Sequence, residues 1–144
     1  MKNKKPLLIV LGEPNSVFVE ILSKVFRNYS LKKKINYPII LIGSKKLFLS
    51  QLKLLKKKLL FQTIEKNDLI RIRLKKKIYF LDVHYNFKKA FDKISAKSRR
   101  YIDECFSQCF NILYSKNCNF IINGPVSKKH FLKKKYPGVT EYIF

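Results

Sequence analysis

The first strong signal along the chain is an unbroken apolar run, Leu7-Leu-Ile-Val-Leu11, that stops at Gly12. A run this short without polar alternation predicts a strand buried on both faces. Residues 17–26 then carry Val17, Ile21, Leu22 and Val25 on one helical face, with Ser16 placed as the N-cap. Pro38 opens a second apolar run, Ile39-Ile-Leu-Ile42, closed by Gly43. Ser44 is placed to cap a helix over 45–58, whose Leu47, Phe48, Leu52 and Leu55 face inward.

The middle of the chain is less regular. Residues 69–74 alternate apolar and basic side chains, which predicts a half-exposed strand at a sheet edge. Residues 78–83 form a further apolar strand, and 84–94 show no period that assigns them. The longest predicted helix covers 97–116, with Ile102, Cys105, Phe106, Cys109, Phe110 and Leu113 at steps of three and four. A short strand over 120–122 leads through Asn123, Gly124 and Pro125 into a helix over 127–134. Pro137 and Gly138 break that helix, and Thr140 is placed to cap another. Alternating strands and helices of this kind predict an α/β fold, a three-layer α/β/α domain with a mainly parallel sheet. No internal repeat and no linker divides residues 1–144.

The chain has only four glycines, and each follows a predicted strand or helix. In open α/β sheets ligands bind beyond the carboxyl ends of the strands. The segments Gly12-Glu-Pro14 and Asn123-Gly-Pro-Val-Ser-Lys128 are therefore expected along one rim, although glycines also simply end strands. Ser127 at a helix start, with Lys128 and Lys129 beside it, would favour an anion such as phosphate. Neither the Rossmann fingerprint nor the P-loop occurs. His84 and His130 have no visible partners for metal binding or hydrolysis, and read as solvated or capping residues.

Charge changes the picture less than its size suggests. The formal net charge is +23, which invites a nucleic-acid partner. The excess is nearly all lysine, in scattered triplets at 32–34, 56–58, 75–77 and 133–135, whereas base readout favours arginine. Three of the triplets fall at predicted helix C-termini, where cations meet the negative end of the dipole. A basic nucleic-acid-binding module stays as the alternative function, and steeply salt-dependent binding would mark it. Cys105, Cys109 and Cys118 lack zinc or redox spacing and read as small buried hydrophobes. No apolar run approaches the roughly 20 residues of a membrane span, and no signal-peptide pattern opens the chain, so a cytoplasmic protein is expected.

Three segments, taken in order, resemble the 4-hydroxythreonine-4-phosphate dehydrogenase family of pyridoxal phosphate biosynthesis. They are Gly12-Glu-Pro14 after the first strand, Ile121-Ile-Asn-Gly-Pro-Val-Ser-Lys128, and Pro137-Gly-Val-Thr-Glu-Tyr142. The resemblance extends over essentially all 144 residues. It implies an incomplete isocitrate/isopropylmalate dehydrogenase-like fold, of which residues 1–144 are the N-terminal part and the second part is absent. It implies an oxidoreductase that forms a homodimer when complete. The implied reaction is NAD-dependent oxidation, with decarboxylation, of 4-phosphohydroxy-L-threonine to 3-amino-2-oxopropyl phosphate. A divalent metal ion, with ligands in the missing C-terminal part, would polarise the reacting oxygen.

The residues carried over are Thr140 as a substrate contact, with Lys128 and Asn123 as candidates at the phosphate-favouring rim; no catalytic or cofactor-binding residue is assigned. Two positions depart from the family pattern. Val139 stands where the family has a His, and Asn15-Ser-Val-Phe-Val19 replaces a glycine-rich continuation of the opening loop. Valine neither hydrogen-bonds nor titrates, which keeps open a related dehydrogenase acting on another phosphorylated or carboxylated hydroxy acid.

Overall fold

The computed structural model describes residues 4–28, 33–71, 74, 75, 77–115, 118 and 120–143. Five strands form one sheet: β1 (Leu7–Val10), β2 (Ile39–Gly43), β3 (Gln62–Ile64), β4 (Ile78–Asp82) and β5 (Phe120–Asn123). Their order across the sheet is β3-β4-β2-β1-β5, and each pairing is parallel. The helices are α1 (Phe18–Arg27), α2 (Lys45–Leu54), α3 (Asp68–Arg71), α4 (Arg99–Tyr114) and α5 (Val139–Ile143). A 3-10 turn at Ala96–Ser98 leads into α4, and a single π-helical turn spans Lys128–Leu132.

The continuous apolar strands are explained by burial on both faces. Leu8, Val10, Ile40, Ile42, Tyr79 and Leu81 pack on one side with Ile102, Cys105, Phe106, Cys109 and Ile112 of α4. Their neighbours Ile9, Leu11, Ile39, Leu41 and Phe80 pack on the other side with α1 and α2. This even–odd division is the two-residue period of a pleated strand, and the result is the expected α/β/α sandwich. Burial pushes the thiols of Cys105 and Cys109 up to about 12, which fits their place in the core. At β5 the second layer is thin, and Phe120 and Ile122 are exposed at 62% and 47%. Among the described residues no helix is long and apolar enough to cross a membrane.

Several expected elements differ. Residues 69–74 are not an edge strand: Asp68–Arg71 is a short helix, and 72 and 73 lie outside the described residues. A reciprocal turn decides it, because the Asp68 amide donates to Glu65 O at 3.0 Å and the Glu65 amide donates to Asp68 Oδ2 at 3.0 Å. Leu69 and Leu74 still reach the core, so the alternation recorded burial without recording the period. The edge belongs to β3, a segment without a strand signature, of which only Ile64 is buried.

Helix α1 buries Val19, Leu22, Ser23 and Phe26; of the expected face Leu22 is buried and Val25 half-buried, while Val17 and Ile21 are exposed. Ser23 tolerates burial because its hydroxyl donates to Glu20 O at 2.7 Å. Helix α2 stops at Leu54, short of 58, where Lys56 takes a left-handed φ of +52°. The helix expected over 127–134 ends at Leu132, because Lys133 and Lys134 are both left-handed. Thr140 lies inside α5 and does not cap it. The helix expected over 97–116 is α4, Arg99–Tyr114, entered through the 3-10 turn and closed at Ser115, whose amide donates to Asn111 O at 3.3 Å.

Phe80 is fully buried between the rings of Phe48 at 5.1 Å and Phe61 at 5.0 Å. Truncation to Phe80→Ala is expected to cost about 3–5 kcal/mol in urea denaturation. A loss below about 1 kcal/mol would contradict this packing.

Candidate functional site

Strand β1 sits at the turning point of the sheet, because β2 lies on one side of it and β5 on the other. Ligand-binding crevices of open α/β sheets form at such a reversal, beyond the carboxyl ends of the strands. Here two loops meet at that place. The Gly124 amide donates to Val10 O at 2.7 Å, and the Glu13 amide donates to Pro125 O at 2.8 Å. The approach is of backbone to backbone, and it explains both glycines. Gly12 has φ +72°, and a Cβ there would lie 2.5 Å from Pro125 O. A Cβ on Gly124 would strike the carbonyl oxygen of Leu11. The expectation that the Gly12 and Gly124 segments share one rim is therefore met by direct contact.

Glu13 is the chemically distinctive group at this junction. It is buried to 3% exposure, directly after the left-handed Gly12 and before Pro14. Its Oε1 accepts from the Asn15 amide at 3.3 Å, and its Oε2 lies 3.1 Å from the Ser98 hydroxyl. Ser98 Oγ also lies 3.0 Å from Ser95 O. The hydroxyl has one proton to share between these two acceptors, Glu13 Oε2 and Ser95 O. Burial raises the Glu13 carboxyl above its ordinary value of 4.5, against the opposing pull of the Asn15 amide, Ser98 and His130. The loop is fixed on its other side by the buried Gln51 amide, which donates to Pro14 O at 2.7 Å.

The neighbouring helix start is already occupied. The Ser44 amide donates to Tyr101 Oη at 2.8 Å, the Lys45 amide to Asp82 Oδ1 at 2.7 Å, and the Leu47 amide to Ser44 Oγ at 3.3 Å. These bonds leave the α2 terminus serving its own capping rather than a ligand. The Ser127 hydroxyl is likewise used, accepting from the His130 amide at 3.1 Å. Because Ser127 opens only one π turn, the helix-dipole argument for an anion there loses its basis.

The candidate substrate residues lie on three different elements. Asn123 ends β5 opposite Val10, and its side-chain amide donates to Gly124 O at 3.1 Å. Lys128 is exposed at the start of the π turn. Thr140 is exposed on α5, which is tied to α4 by the 2.6 Å bond from Tyr142 Oη to Asp103 Oδ1. Val139, at the family's His position, packs against the core. Among the described residues no three His, Cys, Asp or Glu side chains lie together. They do not fit a metal centre, and no chemical step is assigned through one.

Sequence reasoning missed Glu13, Ser98 and Gln51. The last carried a legible signal, a polar residue within the apolar face of α2; the link between Glu13 and Ser98 spans 85 positions and had none.

No family model and no curated protein match the chain. Solved structures do. A 4-hydroxythreonine-4-phosphate dehydrogenase from Burkholderia phymatum aligns over 97% of this chain and 42% of its own, at TM-score 0.74 and 17% identity. The Klebsiella pneumoniae enzyme of that name aligns over 94% of this chain and 42% of its own, at 0.71 and 15%. A Salmonella typhimurium protein described as the same kind of enzyme gives 97% and 43%, at 0.75 and 20%. The chain thus spans about two-fifths of the length of these structures.

Two outcomes follow from the junction. Gly124→Ala is expected to destabilise the fold by about 2 kcal/mol, read by urea denaturation; a neutral substitution would mean that the loops do not touch. Because the folded-state value of Glu13 is raised, folding takes up its proton more readily than unfolding does. That contribution is fully present below the ordinary 4.5 and is lost as pH rises through the folded-state value. Wild type should therefore lose stability relative to Glu13→Gln as pH rises through this window. A difference that is flat or opposite in sign would refute the assignment. The fold of this chain is that of a stretch of the dehydrogenases it matches.

Proposed function

We propose that this chain is the N-terminal part of a dehydrogenase of the 4-hydroxythreonine-4-phosphate type. The observation that carries the reading is the match over nearly the whole chain, obtained independently of the three motifs that suggest the same family. The junction of Gly12-Glu-Pro14 with Asn123-Gly-Pro supports it, since both motif segments meet at the crevice of the sheet. The reaction is NAD-dependent oxidation and decarboxylation of 4-phosphohydroxy-L-threonine in vitamin B6 biosynthesis. Thr140, Lys128 and Asn123 remain the proposed substrate contacts. Their part is to bind and orient a phosphorylated substrate.

NAD and divalent-metal contacts belong, in this proposal, to the further portion of such an enzyme. The face of β5 on which Phe120 and Ile122 are exposed offers it an apolar surface. A homodimer in the cytoplasm completes the reading. A related dehydrogenase acting on another phosphorylated or carboxylated hydroxy acid is the second reading, favoured by Val139, whose packed methyl groups make no polar contact.

The product of the complete reading frame, supplied with NAD and divalent metal, should form NADH from 4-phosphohydroxythreonine. Absence of turnover with that substrate but activity with another hydroxy acid would select the second reading; no activity with any would remove both. The 144-residue chain alone should form no NADH.

A further inference from the structure

The cleft with the most unused chemistry lies beside the glycine junction. It encloses about 480 Å³ between Asn15 and the loop that follows β4, and Lys88, Lys89, Lys93 and Lys97 line it. That volume falls within the roughly 300–1,000 Å³ of small-molecule sites. The loop is fastened to the opening segment by one side chain working in both directions. Asn15 Nδ2 donates to Lys93 O at 3.3 Å, and Asn15 Oδ1 accepts from the Asp92 amide at 3.1 Å.

Phe91 holds a left-handed φ of +57°, which a bulky side chain adopts only where its surroundings impose it. Cations held together in this way repel one another. Among the described residues Asp92 is the only carboxylate lining the cleft; it accepts the Lys93 amide at 2.9 Å and reaches Lys89 Nζ only at 3.9 Å. Lys88, Lys93 and Lys97 have no carboxylate partner among the described residues.

We propose that this cleft binds the polyphosphate portion of a small molecule, with the lysines supplying charge-assisted hydrogen bonds to two adjacent phosphoryl groups. Lysine suits this use as a point charge on a flexible stem, which needs no fixed fork geometry. The inference rests on the cleft and its cations, not on the dehydrogenase reading, and either can fail without the other.

Calorimetric titration of the chain with inorganic pyrophosphate at physiological ionic strength tests it. One saturable site is expected. The pair Lys93→Gln with Lys97→Gln should weaken binding by about tenfold or more. The control pair Lys57→Gln with Lys58→Gln removes the same charge beyond the C-terminus of α2, at the opposite end of the sheet from its start at the β2 carboxyl end. It should change affinity by less than about twofold, because exposed charges beyond a Debye length are screened. Circular dichroism checks that both variants fold; Lys58, Lys93 and Lys97 are exposed and Lys57 is half-buried. Equal losses in the two pairs, or the absence of a saturable site, would overturn the proposal. Equal displacement of pyrophosphate by a single-stranded oligonucleotide would also overturn it, by reducing the cleft to a general basic surface.

Discussion

The backbone contact between the loops after β1 and β5 is the constraint on which the rest of the site depends. Two amides cross it, from Gly124 to Val10 O and from Glu13 to Pro125 O, and two glycines leave room for it. Parallel strands cannot be joined by tight hairpins, so their carboxyl ends are assembled from loops far apart in sequence. The contact brings residue 13 beside residue 125. It also turns the Glu13 side chain inward to Ser98 at the start of α4, while Gln51 holds Pro14 from α2. The opening loop is thereby fixed to both helical layers of the sandwich, and the crevice rim is built of backbone more than of side chains.

Much of the layered fold was legible because burial on both faces leaves an unmistakable record. Leu7-Leu-Ile-Val-Leu11 and Ile39-Ile-Leu-Ile42 could hardly be anything but interior strands. Edges carry no such record. β3 has one buried side chain, and the alternation that imitated a strand downstream of it belonged to a short helix set by an Asp68–Glu65 turn. Helix α1 misled in another way, since Val17 and Ile21 offered an apolar face as coherent as the one that is buried. The choice between them is made by the sheet, which local periodicity does not see.

The site was legible to a lesser degree, and for the same reason. Glycines after strands pointed to the rim, and their contact is the feature the sequence could suggest from spacing. The buried Glu13–Ser98 pair and the Asn15 clasp on the lysine loop are long-range partnerships with no local signature. The charge is scattered along the chain, as read, but four of its lysines line a single cleft. The likeness to dehydrogenases under 25% identity settles the architecture and leaves the chemistry to those side chains.

Native-state amide hydrogen exchange at Glu13 and Gly124 tests the central contact most directly. The Gly124 amide is held by Val10 O at the end of β1 and the Glu13 amide by Pro125 O of the other loop, so both should exchange as slowly as the interior amides of β1 and β2. Exchange at the rate of open loops, with the strands still protected, would mean that the two segments do not clasp one another and that the crevice is not formed there.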